Sequence, residues 1–560
     1  MSTDSGNRTL GAAANLESLK KEAKRWLKAL RDGDSAARER LLRVSSRASA
    51  SPTLREVQHA LAREHGVAGW TALKERLADR ELSKRSEAER AGDFLRHAVD
   101  RQGGALAAHI LRKHPDVARF SLHTAVVAGD LAEVERHLAD GAPVGGSAGI
   151  PRSWQPLQYL CYARVPVAAA SDNAVAIARA LLDAGADPKA TWKDDWGNPF
   201  TLLTGIIGEG EGREPRHPRA VELAELLIAR GADPYDTQSL YNTSLHVDDP
   251  FWLEFLYSRS EAAGDAERWR GKDAWPASGM LDYLLGNAVS RNHVRRARWL
   301  LEHGARATAR HFYSKRNLHT EAVLGGFTEL AKLLLDFGAQ PESLDDVHTY
   351  HAACMARDRE TARRLAAAHP EYLHYPGPMY KAAEADRTEV VELLLELGVS
   401  PDVAHGGWVG LHSAAHNGSV NVAKLLVERG ATIDVRDQRF HSTPLGHAVW
   451  ANQSAMVDVL SPVSRDVIAL ARAGKLERLR AVIDEDPKLV DATRDGRTAL
   501  FFLSAPEVRA MEIAELLIER GADPAFRDAD GLSAADAAAK AGLEDLADQL
   551  REAARPGSVT

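Results

Sequence analysis

The sequence is short of cysteine. Cys161 and Cys354 are the two in 560 residues. Two cysteines exclude a disulfide framework, and nothing has the Cys/His spacing of a zinc site, so both are expected to be buried thiols in a reducing compartment. Aromatic residues make up only 6% of the chain, which suits small-residue helical packing better than a β-sandwich. No apolar run reaches the roughly 18 residues a membrane span requires. The polar opening, Met1 to Leu16, lacks the apolar core of a signal peptide. The expectation is therefore a cytoplasmic protein without membrane insertion.

Positive charge is scarce outside the front of the chain. Residues 1–120 hold 24 Lys+Arg against 16 Asp+Glu (+8), and the remainder holds 47 against 63 (−16). A nucleic-acid binder is basic over its main surface, so that partner is not expected. The basic front reads either as solvated helix faces or as a surface for an acidic partner.

What the sequence does contain is repetition. A Leu-Leu helix end, two spacers and Gly-Ala recur as Leu181 to Pro188 (LLDAGADP), Leu227 to Pro234 (LIARGADP), Leu301 to Ala305 (LEHGA) and Leu334 to Ala339 (LLDFGA). Further copies are Leu394 to Val399 (LLELGV), Leu426 to Ala431 (LVERGA) and Leu517 to Pro524 (LIERGADP). A helix stops where glycine takes the left-handed conformation and caps the last carbonyls, and a following proline prevents resumption. About twenty residues earlier comes a short helix rich in small residues, as in Leu122-His123-Thr124-Ala125, Leu318-His319-Thr320-Glu321, Leu411 to His416 and Thr443 to Ala448. The clean spacings are 34 (Gly304 to Gly338) and 32 (Gly398 to Gly430).

Helix, tight turn, helix and Gly-capped loop at that period resemble the ankyrin-repeat family over residues 88–554. Gly446 stands where that family has its motif histidine, and the stretches 239–260, 349–368 and 466–483 drift from the pattern. The resemblance implies an all-α solenoid of about twelve partly degenerate repeats. It also implies that His123, His319 and His412 hold neighbouring repeats together by hydrogen bonds.

Ahead of the array, residues 15–82 read as a small helical domain. Leu16, Leu19, Ala23, Trp26, Leu27 and Leu30 form one apolar stripe. Thr53-Leu54-Arg55-Glu56 is a capping box. The run Ala62 to Trp70, with Leu73-Lys74, resembles a module in front of bacterial ankyrin-repeat proteins that have no established activity, as does Trp154 to Tyr162 in the early repeats. This likeness implies a bacterial source. Residues 1–14 and 555–560 are expected to be disordered.

Catalytic signatures are missing. No G-x-S-x-G and no strands are expected, so a serine hydrolase is excluded. Gly208-Glu209-Gly210-Glu211-Gly212 has acidic residues where a phosphate loop needs Lys-Ser/Thr, and it reads as a solvated loop. His412 and His416 stand at i, i+4 without the intervening glutamate of a zinc protease. His348/His351 and His369/His374 are weaker still, and Asp194/Asp195 and Asp248/Asp249 are adjacent loop carboxylates that, without an EF-hand pattern, give only a weak calcium signal. No metal, cofactor or catalytic residue is assigned.

Insertions and tryptophan coincide. Gly141 to Gly185 spans 44 residues and Gly185 to Gly231 spans 46, the excess falling at 164–173, 191–199 and 208–218, with a further irregular stretch at 260–279. Solenoid insertions emerge on one face, often the binding face. Trp154, Trp192, Trp196, Trp252, Trp269 and Trp275, with Tyr159, Tyr162, Tyr241 and Tyr313, are accordingly the candidate partner-binding side chains. Trp192 and Trp196 are expected to be exposed. The function expected is a monomeric, non-enzymatic protein-binding scaffold using the concave face and insertion loops. The alternatives are an enzyme or small-molecule binder with a pocket in 141–313, or a bacterial effector or defence component. A secretion signal or an adjoining effector domain would support the last, and neither is recognisable.

Overall fold

A computed structural model describes residues 10, 15–45, 49, 52–99, 104–147, 152–194, 197–271, 279–504 and 506–555. Four helices open it: α1 (Leu16–Arg31), α2 (Ser35–Val44), α3 (Leu54–Glu64) and α4 (Trp70–Lys84). Each start has a chemical cause. Asn15 and Thr53 make capping boxes with Ser18 and Glu56, and Asp34 accepts from the N–H groups of Ala36 and Ala37. The stripe on α1 turns inward, and Leu19, Ala23, Trp26 and Leu27 pack against Leu41, Leu54, Leu61, Trp70 and Leu73. The Trp26 indole donates to the Ala37 carbonyl at 3.0 Å, beneath the Arg40 guanidinium at 3.8 Å.

The chain falls into two compact units, Glu81–Ser343 and a discontinuous one made of Met1–Arg80 with Leu344–Thr560. In the first, the leading helices of successive repeats form one layer: Leu122–Ala128, Pro156–Tyr162, Leu202–Ile207, Thr237–Thr243, Met280–Ser290 and Leu318–Gly325, each against the next. Second helices such as Leu131–Ala139, Ala174–Asp183 and Ala220–Ala229 form the other layer. Leu181, Leu223, Leu227, Leu256, Leu300 and Leu334 fill the space between.

The Gly-Ala signal does what its chemistry requires. Gly185, Gly231 and Gly304 have φ of +95°, +107° and +102°. The N–H groups of Ala186, Ala232 and Ala305 then reach back to the carbonyls of Leu181, Leu227 and Leu300, each at 2.9 Å.

In the discontinuous unit the same layering runs through Asp346–Ala356, Gly377–Glu384, Gly410–Asn417, Pro444–Trp450 and Val467–Arg472, with second helices including Thr388–Glu396, Val420–Glu428 and Ser454–Leu460. The stack ends with Glu507–Glu519, Ala534–Lys540 and Glu544–Ala553. The stretches that drift from the repeat pattern still fold as helix pairs, because apolar spacing rather than the loop motif drives helix packing. The expectation of no strands is corrected. Three two-stranded hairpins occur among the described residues: Thr191–Lys193 with Pro199–Thr201, Ala404–His405 with Trp408–Val409, and Thr493–Arg494 with Arg497–Thr498. Each is a connection between helices tightened until its backbone pairs with itself.

Candidate functional site

The irregular repeats gather their aromatic residues into clusters, most of them internal. Trp154 lies 5.5 Å from Tyr159, 5.0 Å from Tyr162 and 5.4 Å from Trp192, and Trp192 stacks on Phe200 at 4.7 Å. The Arg152 guanidinium covers Trp154 at 4.9 Å and Trp192 at 4.7 Å. The expectation that Trp192 is exposed is thereby corrected. The hairpin folds its ring back onto Trp154 and leaves it half-buried. Trp154 and Tyr159 are core residues, while Tyr162 is half-buried and donates from its hydroxyl to the Thr201 carbonyl at 2.5 Å.

Trp252 and Trp269 are also buried, Trp269 completely at 0% exposure, with its indole donating to Ser260 Oγ at 3.0 Å. Large rings fill the space that alanine contacts leave open in these repeats. Four of the sequence candidates thus present little surface. Tyr241 is half-buried, Tyr313 is 65% exposed, and Trp196 and Trp275 lie outside the described residues.

The Gly-rich segment is solvated at its tip as expected, where Glu211 and Gly212 are exposed, but its base is a structured turn with Gly208 and Gly210 buried. Gly208, Glu209 and Gly210 all have positive φ, and Glu209 and Glu214 exchange backbone hydrogen bonds at 2.7 and 3.1 Å. Asn242 Nδ2 donates to the Gly208 carbonyl at 3.1 Å, His246 Nε2 to that of Gly210 at 2.8 Å, and the Tyr241 hydroxyl to Glu211 Oε1 at 2.7 Å. The glycines serve the tight turn and not a phosphate.

Beneath this turn Glu209 pairs through Oε1 with Arg216, whose guanidinium lies 6.0 Å over Trp252. Arg296 is 1% exposed. Its Nη1 donates to the Asp249 carbonyl at 2.7 Å, and its Nη2, Glu209 Oε2 and Trp252 Nε1 are buried without a protein partner. Desolvation pushes the Arg296 guanidinium down to about 10.

One arrangement looks catalytic and is not wired for it. Ser290 Oγ is 2.9 Å from His311 Nε2, and His311 Nδ1 is 3.1 Å from Ser314 Oγ, which meets Glu321. The Ser314 N–H donates to His311 Nδ1 at 3.1 Å, which leaves the proton of a neutral ring on Nε2. A base for Ser290 needs that nitrogen bare.

The motif histidines differ among themselves. His123 Nε2 contacts the Gly146 carbonyl at 2.9 Å. His412 accepts from the Val409 N–H at Nδ1 (3.2 Å) and donates from Nε2 to the Ser442 carbonyl (3.1 Å), joining two loops. In the His319 repeat the joining side chain is Asn317, which accepts from the N–H groups of His319 and Thr320 and donates to the Gln340 carbonyl at 3.1 Å.

His412, Asp437 and His447 bring their ligand atoms within 4.8 Å of one another, close enough to test for a metal. The donor set does not fit an ion. Both nitrogens of His412 are engaged, and Asp437 accepts from the N–H groups of Arg439, Phe440 and Ser442 as well as from His447 Nε2 at 3.0 Å. Burial opposes the Asp437 charge, and these hydrogen bonds outweigh it and hold the carboxyl at about 2. This is a satisfied network that fixes the loop.

Around it lies the surface that sequence reasoning missed. Trp450 is 67% exposed and Phe440 is 52% exposed, while Trp450 stacks on His416 at 5.6 Å. Trp408, half-buried, donates to Ser413 Oγ at 2.8 Å and lies 4.8 Å from His447, and Phe440 lies 5.8 Å from the same ring. His416 and Trp450 lie at the ends of the adjacent leading helices Gly410–Asn417 and Pro444–Trp450, so their stack crosses two repeats, and Phe440 connects to it through the buried His447 ring. The surrounding segment 344–560 holds 24 Lys+Arg against 34 Asp+Glu.

Sequence comparison with known proteins agrees with this architecture. A sequence model described as "Ankyrin repeats (3 copies)" matches residues 350–437 and 379–469. "Ankyrin repeat and SAM domain-containing protein 6" of Danio rerio is 27% identical over 221 residues, covering 36% of this chain and 28% of that protein. "Ankyrin repeat and SOCS box protein 6" of Homo sapiens is 29% identical over 172 residues, 28% of this chain and 41% of its own length. The match therefore spans less than half of either relative. Among solved structures, the complex of a predatory endopeptidase from Bdellovibrio bacteriovorus with its immunity protein aligns with 31% of this chain and 96% of that chain, at 21% identity and a TM-score of 0.25.

Proposed function

From the premise that the chain is an ankyrin-repeat protein, we propose that it works by binding a protein partner on its layer of leading helices, without catalysis, with Trp450 and Phe440 as the anchoring side chains. The observation that carries this reading is the exposure of Trp450 stacked on His416, with Phe440 exposed against the neighbouring His447 ring. Exposed rings on a rigid scaffold cost solvation until something covers them, and Trp is enriched among the hot spots of protein interfaces. The acidic balance of the segment favours a partner that sets Arg or Lys beside an apolar side chain, since a cation is drawn both to carboxylates and to an indole face. The ankyrin repeats of the zebrafish and human relatives accord with a protein partner. The test is crosslinking mass spectrometry on the full chain, with Trp450→Ala/Phe440→Ala as the control. A partner captured equally by a folded double variant sinks this reading.

A second reading, a small polar ligand, draws on Glu209, Trp252 and Arg296, whose buried polar atoms lack protein partners. Native mass spectrometry of the purified chain checks it. It predicts a stoichiometric small-molecule adduct that disappears in Arg296→Met, and an adduct-free spectrum rules it out.

A further inference from the structure

The basic front of the chain finds an acidic surface on the chain's own last repeats. The helices Glu507–Glu519 and Glu544–Ala553 present Glu507, Glu512, Asp545 and Asp548 to the N-terminal module. Lys20 Nζ lies 3.5 Å from Asp545 and 3.5 Å from Asp548, and Lys24 lies 3.2 Å from Asp548. Lys74 meets Glu507 at 3.2 Å and Asp545 at 2.5 Å, and Arg55 meets Glu512 at 2.7 Å. The Asp545 side chain is 3% exposed and that of Lys20 is 7% exposed, while Lys24, Lys74 and Arg55 are 26–29% exposed, so the node is buried at its centre and reached by water and salt at its rim. Glu507 also accepts from the N–H groups of Asp545 (2.8 Å) and Leu546 (3.3 Å), which caps the last helix with the same carboxylate that holds Lys74.

Two features separate this contact from ordinary core packing. The module's apolar residues cluster among themselves, and the terminal repeats belong to a different apolar cluster. What joins them is charge: residues 1–80 hold 16 Lys+Arg against 10 Asp+Glu, and residues 500–560 hold 6 against 12. Interfaces between separate cores that rest on ion pairs are weakened by salt, whereas continuous apolar packing is not. We propose that the N-terminal module is a detachable cap, which docks as a folded body on the acidic end of the repeat stack and, when released, leaves that end to a lysine- or arginine-rich protein segment. Burial opposes the Lys74 ammonium, but Asp545 and Glu507 outweigh it and raise its pKa, in keeping with a tight ion pair.

Lysine acetylation footprinting of the full chain tests this. Raising NaCl from about 0.1 M to about 1 M shortens the screening length from roughly 10 Å to roughly 3 Å. Lys20 and Lys74 should then react about tenfold faster relative to exposed Lys21, with far-UV circular dichroism unchanged. Unchanged relative reactivity, or a rise accompanied by loss of helicity, overturns the proposal. A second arm uses Lys20→Glu/Lys74→Glu and a synthetic oligolysine peptide at about 0.1 M NaCl. The peptide should bind the variant and not the parent, and equal binding to both overturns the proposal. If the variant does not fold, the salt arm on the parent chain decides.

Discussion

The Trp70 indole donates to Asp545 Oδ2 at 3.0 Å and so joins residues 475 positions apart. The same carboxylate takes Lys74 and faces Lys20, one oxygen to each. Removing it takes a carboxylate partner from each of Lys20 and Lys74, which keep Asp548 and Glu507, and leaves the buried indole N–H without its acceptor, and breaking a buried ion pair costs more than the pair contributes. Asp545→Ala should therefore lower stability in urea by about 2–3 kcal/mol, below the fully buried range because Lys74 is partly solvated. Asp545→Asn keeps an acceptor for Trp70 and should cost less. Equal losses for the two variants would show that the indole hydrogen bond adds nothing beyond the charge, and an Asp545→Asn variant as stable as the parent would show that charge is not what holds the node.

Tryptophans at the two extremes of burial should behave oppositely. Trp269 is fully enclosed and hydrogen-bonded, so Trp269→Ala should cost about 3–5 kcal/mol through the cavity it leaves. Trp450→Ala should leave the melting temperature nearly unchanged, within about 0.5 kcal/mol. It should weaken partner binding by about 2 kcal/mol, roughly thirtyfold. Differential scanning fluorimetry and titration calorimetry separate the two effects. A Trp450→Ala variant as destabilised as Trp269→Ala would make Trp450 a packing residue.

Local chemistry was legible in the sequence, and the uncovered surface was not. Thr53 and Glu56 form their capping box, and Gly185, Gly231 and Gly304 stop their helices, because each signal acts within a few residues. Trp192 was misplaced because its exposure depends on a hairpin that returns it to Trp154, thirty-eight positions earlier in the chain. Trp450 carries no such signal, because a single ring at the end of a helix has the same sequence whether the next repeat covers it or not. The likeness of Glu209 to a loop acid failed for a related reason. Its partners, Arg216 and the turn closed by Glu214, complete the setting only in three dimensions.

The thiols offer a direct check on burial. Cys161 and Cys354 are both fully buried, and burial pushes each up to about 12. At pH 8 neither carries appreciable thiolate, the form that reacts. Native protein should resist iodoacetamide, and urea should release both thiols for alkylation. Prompt labelling of either cysteine in the native chain would contradict its placement.

Stability should fall in mild acid because several histidines are held neutral. Desolvation lowers His217, His293 and His412 to about 4, against about 6.5 in an unfolded chain. The unfolded chain therefore binds protons that the native one refuses between those values. The resulting stability is fully present above about pH 6.5 and is lost as pH falls toward 4, at most about 3 kcal/mol for each group. Asp437 acts in a lower window. Its carboxyl is held at about 2, so its contribution persists above the ordinary aspartate value and disappears only as pH falls through about 2. Between pH 6.5 and pH 4 the histidines therefore dominate. The melting temperature should be level above pH 7 and decline steadily below 6.5, well before Asp437 titrates. His412→Gln should flatten part of that slope while lowering the plateau, since the loops of Val409 and Ser442 lose the ring that joins them. A melting temperature constant from pH 7 to pH 4.5 would show that these rings are protonated as readily in the fold as out of it.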